Sequence, residues 1–453
     1  MFCMAEQAIG HDPAMASGGD GGRKSASAPR ADIVFLHQNM PGQFRFLATA
    51  LARHPQLRVF FVTRRRGVTL PGVRTVVYPA PDLAEVSTEP LARPMEAAAR
   101  FARATARACY DMRSQGVDPA VVIVHPGWGE ALLLRDIWPR ARIVTYAEFY
   151  YQPEGGDTGF DPLFPVNANT LARIRMMNGN LLLSHAAADV MLSPTHWQKS
   201  RHPDFLQERI EVIFDGIDTR VVCPDAEACF RLPNGSELRR GDEVITYVAR
   251  NLEPHRGYHV FMRALPALLR TRPQARVVIV GGREASYSPK PSGDFADWAE
   301  ALGAEVALGA DAARVHHVGK LTYANYLALL RISAVHVYLT FPFVLSWSCL
   351  EAMAAGCLLV ASATPPVEEV IRDGVNGRLF PFHDGEALVR TVCAALDDPE
   401  AGARMRQAAR ATVVERYELA DCLRAQVNLV QRLIDQYREA SPASAPEVSS
   451  PEQ

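Results

Sequence analysis

The sequence predicts an α/β protein of two doubly wound, parallel-sheet domains facing a central cleft. Three observations carry this reading. The chain has 453 residues, more than one ordinary hydrophobic core holds, so two domains are expected. Short β-branched and aliphatic runs alternate with longer Ala-, Leu- and Arg-rich stretches, the rhythm of parallel strands covered on both faces. That alternation stops at a polar, turn-rich segment and then starts again.

Residues 1–30, rich in Gly, Ala and Ser and without an apolar h-region, read as a disordered leader rather than a secretory signal. An amino-terminal domain is expected over 31–218. Ile33-Val34-Phe35-Leu36 is a buried-strand run, and PGQFRFLATALARH after it has helical spacing. Further strands fall at 59–62 (VFFV), 121–124 (VVIV), 142–146 (RIVTY), 189–192 (DVML) and 210–214 (IEVIF). The segment 219–241 contains the turn former PNG and reads as a linker. A second domain is expected over 242–400. There 244–248 (VITYV) leads into a helical stretch, 276–280 (RVVIV) ends in Gly281-Gly282, and 335–339 (VHVYL) precedes a helix from about Ser348 to Ala355. Residues 402–438 have helical spacing with few breakers, so the helices of 401–438 are expected to pack back toward the first domain. The last residues, 439–453, read as a disordered tail.

Composition narrows the function. A formal net charge of −2 gives no electrostatic reason to bind nucleic acid. No run approaches the ~18 apolar residues of a membrane span. The eight cysteines form no CxxC pair, which argues against a zinc ribbon or redox centre and for reduced thiols in a cytoplasmic protein. Asp-x-Asp and metal-ligand His/Asp spacings are absent, so no catalytic metal is indicated.

Open α/β sheets bind ligands at the carboxyl ends of their strands, so the loops there are where chemistry is sought. The first strand runs into His37-Gln38-Asn39-Met40-Pro41-Gly42, where Gly42 either lets backbone N–H groups approach a phosphate or closes an ordinary tight turn. Arg250 and Arg256 share one strand-to-helix loop, ARNLEPHRG, as a pair of phosphate-binding guanidiniums or as solvated loop charges. Ser346-Trp347 open another helix whose free N–H groups make an anion site. Glu351, one turn inside, suits ribose hydroxyls or simply complements the helix dipole.

These residues reach a resemblance. The second half is similar to the donor domain of glycosyltransferase family 4, through Glu351-Ala352-Met353-Ala354-Ala355-Gly356, Glu369-Val370-Ile371-Arg372-Asp373-Gly374-Val375-Asn376-Gly377 and the arginine loop. Phe214-Asp215-Gly216-Ile217-Asp218 resembles the family's Asn-Gly-Ile-Asp. HQNMPGQFRFLA, HPGWGE and EFYYQPEGGD resemble a subgroup amino-terminal domain, so the likeness covers about 31–435. It implies a GT-B fold of two Rossmann-like domains and retaining transfer from a nucleotide-diphospho-sugar to a glycan or glycolipid acceptor, with no other cofactor. Carried over, Arg250 and Arg256 would neutralise the diphosphate, the backbone at Ser346 and Trp347 would contact phosphate, Glu351 would hold the ribose, and Gly42 would sit in the loop closing over the donor.

Two departures stand out. Phe343 replaces the first glutamate of the family's Glu-x7-Glu pair, the carboxylate that addresses the donor sugar. The family's first-domain histidine aligns with Ala147, which makes the adjacent Glu148 the candidate polar group near the sugar, the alternative being a surface carboxylate among packing aromatics. His125, in VHPGWGE, either lines the cleft or is structural. Arg64-Arg65-Arg66 read as a solvated loop, or as a contact for anionic lipid or a pyrophosphate-linked acceptor, the lipid contact implying peripheral association with the inner membrane face. Two competing readings are a GT-B-fold nucleotide-sugar epimerase and a non-catalytic nucleotide-sugar-binding module.

Overall fold

The computed structural model describes residues 30–83 and 89–440. Apart from Arg30, Glu439 and Ala440, the expected leader and tail lie outside the described residues. The first half runs β1 (Ala31–Leu36), α1 (Arg45–Ala52), β2 (Leu57–Thr63), β3 (Val73–Val77), α2 (Arg93–Ser114), β4 (Pro119–Val124), α3 (Leu134–Ile137) and β5 (Arg142–Tyr146). It continues with α4 (Ala168–Ala186), β6 (Val190–Ser193), α5 (His196–Ser200), α6 (Asp204–Gln207) and β7 (Ile210–Val212). These strands form a parallel sheet in the order β3-β2-β1-β4-β5-β6-β7.

The second half runs β8 (Cys229–Arg231), β9 (Glu237–Arg239), β10 (Val244–Asn251), α7 (Tyr258–Thr271), β11 (Arg276–Gly282), α8 (Trp298–Glu305), β12 (Val315–Gly319) and α9 (Tyr323–Ile332). Next come β13 (Val335–Tyr338), α10 (Trp347–Ala354), β14 (Leu359–Ser362), α11 (Pro365–Glu368), β15 (Arg378–Phe380), α12 (Gly385–Asp397), α13 (Pro399–Arg416) and α14 (Leu419–Glu439). Its parallel sheet has the order β12-β11-β10-β13-β14-β15. In each sheet the first strand lies between the second and a later one, so the loops after β1 and β4, and after β10 and β13, diverge and leave a crevice.

Three features differ from the sequence reading or escape it. The segment read as a linker holds the antiparallel β8–β9 hairpin, whose Phe230, Leu232 and Leu238 are buried in the second core. Charged neighbours mask its alternation. The helical stretch over 402–438 breaks between α13 and α14, where Ile217 N–H donates to Tyr417 O (2.8 Å) and Leu419 N–H to Ile217 O (2.9 Å). Two chain crossings therefore lie side by side at the hinge. Gly216 (φ +95°) is required there, since a Cβ would sit 2.8 Å from the Leu419 Cα. Beyond the break, Leu429, Val430, Leu433 and Ile434 of α14 join the first core, which also holds Ile33, Phe35, Val121 and Ile123, and the helix lies over β4 and β5.

The third feature is a strap between β5 and α4. Asn178 fixes its start by bonding both backbone groups of Tyr151 (3.1 and 2.6 Å). The strap then enters the second domain. Phe160 packs among Phe341, Phe382 and His383, and Phe164 meets the Trp298 ring. The Asp161 carboxylate, 2% exposed, lies 2.8 Å from His259 Nε2 of α7.

Candidate active site in the interdomain cleft

On the first-domain wall, the loop after β1 carries Gly42 in a left-handed turn (φ 56°), which starts the short helical turn holding Gln43. Gln43 Nε2 donates to Glu148 Oε1 (3.0 Å), just past β5. The loop after β4 brings His125 Nε2 to 3.3 Å from Glu148 Oε2. Gly127 N–H donates to His125 Nδ1 (3.2 Å), so Nε2 carries the proton and donates to Glu148. Burial pushes the Glu148 carboxyl up, but the hydrogen bond it accepts from His125 and its electrostatic interaction with that ring outweigh the burial and hold it below the usual range. The His125 ring stacks between Trp128 and Tyr146 (centroids 4.7 and 5.8 Å). Neighbouring His37 is held well below its usual pKa by burial first and by His125 second.

On the facing wall, the short turn Pro254–Arg256 aims a buried guanidinium into the cleft. Arg256 Nη1 donates to Thr340 Oγ1 (2.7 Å) and Val344 O (3.3 Å), and the guanidinium lies over the Tyr287 and Phe343 rings. Gly257 (φ +71°) must follow, because a Cβ would come within 2.3 Å of the Leu339 side chain. Arg250 is placed differently, exposed at the end of β10 in the field of Glu284. Between them Glu253 Oε2 accepts the backbone N–H groups of Ser286, Tyr287 and Ser288 (3.1, 3.0 and 2.9 Å), pinning the loop after β11.

Ser346 caps α10, but its N–H donates to Tyr338 OH (3.1 Å). The donors that helix geometry leaves over are those of Trp347 and Ser348. Glu351 accepts from Tyr323 OH (2.8 Å) and Tyr326 OH (3.0 Å) of α9, and burial raises its pKa. Phe343 is 3% exposed and packs against Phe149 (4.5 Å), His255 (4.8 Å) and Tyr287 (5.1 Å). The position of the absent carboxylate is thus filled by an aromatic cluster shared by both domains.

Other contacts cross the cleft. Trp197 Nε1 donates to Phe343 O (3.0 Å), and Glu369 accepts from His196 N (2.9 Å) and Trp197 N (2.7 Å). Asp215, read from sequence only as part of a motif, accepts from Tyr146 OH (2.9 and 3.1 Å) and from Trp347 Nε1 (2.8 Å). The fold therefore unites His125 with Glu148, and sets Arg256 beside Phe343. It leaves Arg250 at the exposed rim. Gln43, Glu253 and Asp215 escaped sequence reading because their partners are remote in the chain.

Two family models match the chain, "Glycosyl transferase family 4 group" over residues 55–222 and "Glycosyl transferases group 1" over residues 231–412. A D-inositol 3-phosphate glycosyltransferase of Streptomyces avermitilis is 29% identical over 233 residues, 49% of this chain and 48% of that protein. The chain thus spans about half the length of this relative. A GDP-mannose-dependent alpha-(1-6)-phosphatidylinositol monomannoside mannosyltransferase of Mycolicibacterium smegmatis is 25% identical over 297 residues, 64% of this chain and 72% of that protein. Among solved structures, sucrose-phosphate synthase from Thermosynechococcus elongatus superposes with a TM-score of 0.67 at 19% identity, over 90% of this chain and all of that one. Anabaena HepE in complex with UDP-glucose gives 0.62 at 15% identity, over 88% and 99%. The structural likeness is one of fold, the GT-B arrangement of two facing parallel-sheet domains.

Proposed function

Because the chain belongs to glycosyltransferase family 4, we propose that it transfers a sugar from a nucleotide-diphospho-sugar to a hydroxyl acceptor, without a metal and with retention. One observation carries this reading: the buried, doubly anchored Arg256 guanidinium beside the start of α10, facing a wall that holds the His125–Glu148 pair. Breaking the sugar–phosphate bond builds negative charge on the departing diphosphate, and without a metal the protein must supply fixed positive charge and oriented N–H dipoles. Arg256 and the first turn of α10 meet that demand, with Arg250 at the rim. Glu351 holds the ribose. In the transfer the leaving phosphate oxygen takes the acceptor proton on the same face, while His125 and Glu148 contact the sugar.

The names of the two curated relatives support a polyol, glycan or glycolipid acceptor. No helix among the described residues is long and apolar enough to cross a membrane. A cytoplasmic protein with peripheral contact to the inner face fits a lipid-linked acceptor. The buried Phe343 favours a second reading, a binding module that holds donor without turning it over.

The deciding experiment is a thermal-shift panel of UDP, GDP, ADP and TDP without metal. A ligand at ~100 times its Kd adds about 2.7 kcal/mol to the folded state, so one base should raise Tm selectively by a few degrees. No shift with any of them overturns the donor site. A shift without transfer or donor hydrolysis selects the binding module, and an inverted product linkage removes retention.

Glu351→Ala should weaken ribonucleotides about tenfold, the worth of one hydrogen bond to a charged group, and 2′,3′-dideoxynucleotides much less. Equal losses for both would remove Glu351 from the ribose site.

A further inference from the structure

Asp215 has no part in the chemistry above, yet its buried carboxylate touches both walls of the cleft. It lies three residues beyond β7, where the chain leaves the first sheet. From the first domain, Tyr146 OH donates to it, and the Tyr146 ring stacks on His125, which bonds Glu148. From the second domain, the Trp347 indole donates to Oδ2, and Trp347 is the first residue of α10. One carboxylate thus connects the phosphate end of α10 to the His125–Glu148 pair through two stiff aromatic side chains.

The geometry accommodates two protonation states without movement. Trp347 can only donate, so Oδ2 remains an acceptor. Tyr146 both donates and accepts, so a proton on Oδ1 finds the phenol oxygen 2.9 Å away. The family's asparagine would instead present an amide NH2 toward the indole donor or the phenol. The titratable groups around Asp215 are Tyr146 at the end of β5, Glu148 just past it, His125 beyond β4, and Cys422 on α14.

We propose that Asp215 is a positioning residue that holds the His125–Glu148 pair in register with the phosphate end of α10 and takes up a proton when a nucleoside diphosphate binds there. This rests on the donor-site reading above. A bound diphosphate puts at least two negative charges about one indole away from the carboxylate, and a like charge in a poorly solvated site disfavours ionisation. Burial has already brought Asp215 up to about 7, against the lowering effect of Trp347 and Tyr146, so a further push acts near neutral pH.

The test is calorimetric titration, at pH 8, of the nucleoside diphosphate selected by thermal shift, in two buffers of different ionisation enthalpy. The wild type should take up most of one proton per nucleotide, and its Kd should rise up to about tenfold per pH unit above pH 8. Asp215→Asn should take up none and show a flat Kd. Tight binding without proton uptake, or equal uptake in both proteins, overturns the inference and leaves the donor site standing. If Asp215→Asn folds but binds no nucleotide, Trp347→Phe decides. Loss of the indole donor favours the protonated carboxyl beforehand, so uptake should fall by at least half, and uptake equal to wild type overturns the inference. No binding of any nucleotide by wild type removes the donor site and this inference together.

Discussion

Arg256→Ala should cost about 10- to 100-fold in nucleoside diphosphate affinity, the worth of a desolvated charged hydrogen bond. Turnover should fall further, by about 10²–10³-fold, because the leaving diphosphate is most charged in the transition state and one fixed donor to such charge is worth that much. The size of the effect follows from the anchoring. Thr340 and Val344 hold the guanidinium in place, and the Tyr287 and Phe343 rings exclude water from it. Arg256→Lys should recover part of the affinity, since it keeps the charge and loses the planar fork. Titration and kinetics on variants with wild-type circular dichroism check both, and unchanged diphosphate affinity in Arg256→Ala would take Arg256 out of the site.

His259→Ala should undock the strap. It leaves the buried Asp161 carboxylate facing only His383, 3.6 Å away, and the Leu163 N–H. Breaking a buried pair from one side costs about 3–5 kcal/mol, comparable to what burial of the Phe160 and Phe164 rings contributes to docking. The expected results are a Tm lower by several degrees and rapid proteolysis near Gly155, Gly156 and Gly159. The double variant Asp161→Ala/His259→Ala should be milder than His259→Ala, because no unpaired charge is left behind. Equal cleavage rates in wild type and His259→Ala would show that this pair does not hold the strap.

Much of the architecture is legible in the sequence because strands buried on both faces must be apolar throughout. VFFV, VVIV and RVVIV admit few other readings, and all lie in parallel strands. Charged side chains at strand-to-helix junctions were legible for a related reason: helix starts leave free N–H groups, and the fold places such loops at the cleft. What stayed hidden depends on partners far along the chain. Glu253 looks like a loop carboxylate until Ser286, Tyr287 and Ser288 close on it, and Asp161 looks solvated until His259 arrives from the other domain. The break between α13 and α14 carries no glycine or proline, because a backbone bridge to Ile217 makes it. Ser346 was expected to offer its N–H to phosphate, and only the fold shows Tyr338 occupying it.

The contribution of α14 to the first core also has a consequence for synthesis. Ile33 of β1 and Ile434 of α14 share one cluster although 401 positions separate them. At about 5–20 residues per second, a ribosome needs roughly 20–80 s to make the intervening chain. For that time the part of this face formed by β4 and β5, with Val121, Ile123 and Val144, lacks the helix that covers it, while α1 already lies over β2. The half made first is therefore not the half completed first. A nascent chain stalled before α14 leaves the apolar surface of β4 and β5 open to chaperones, and the first core is completed only when α14 emerges.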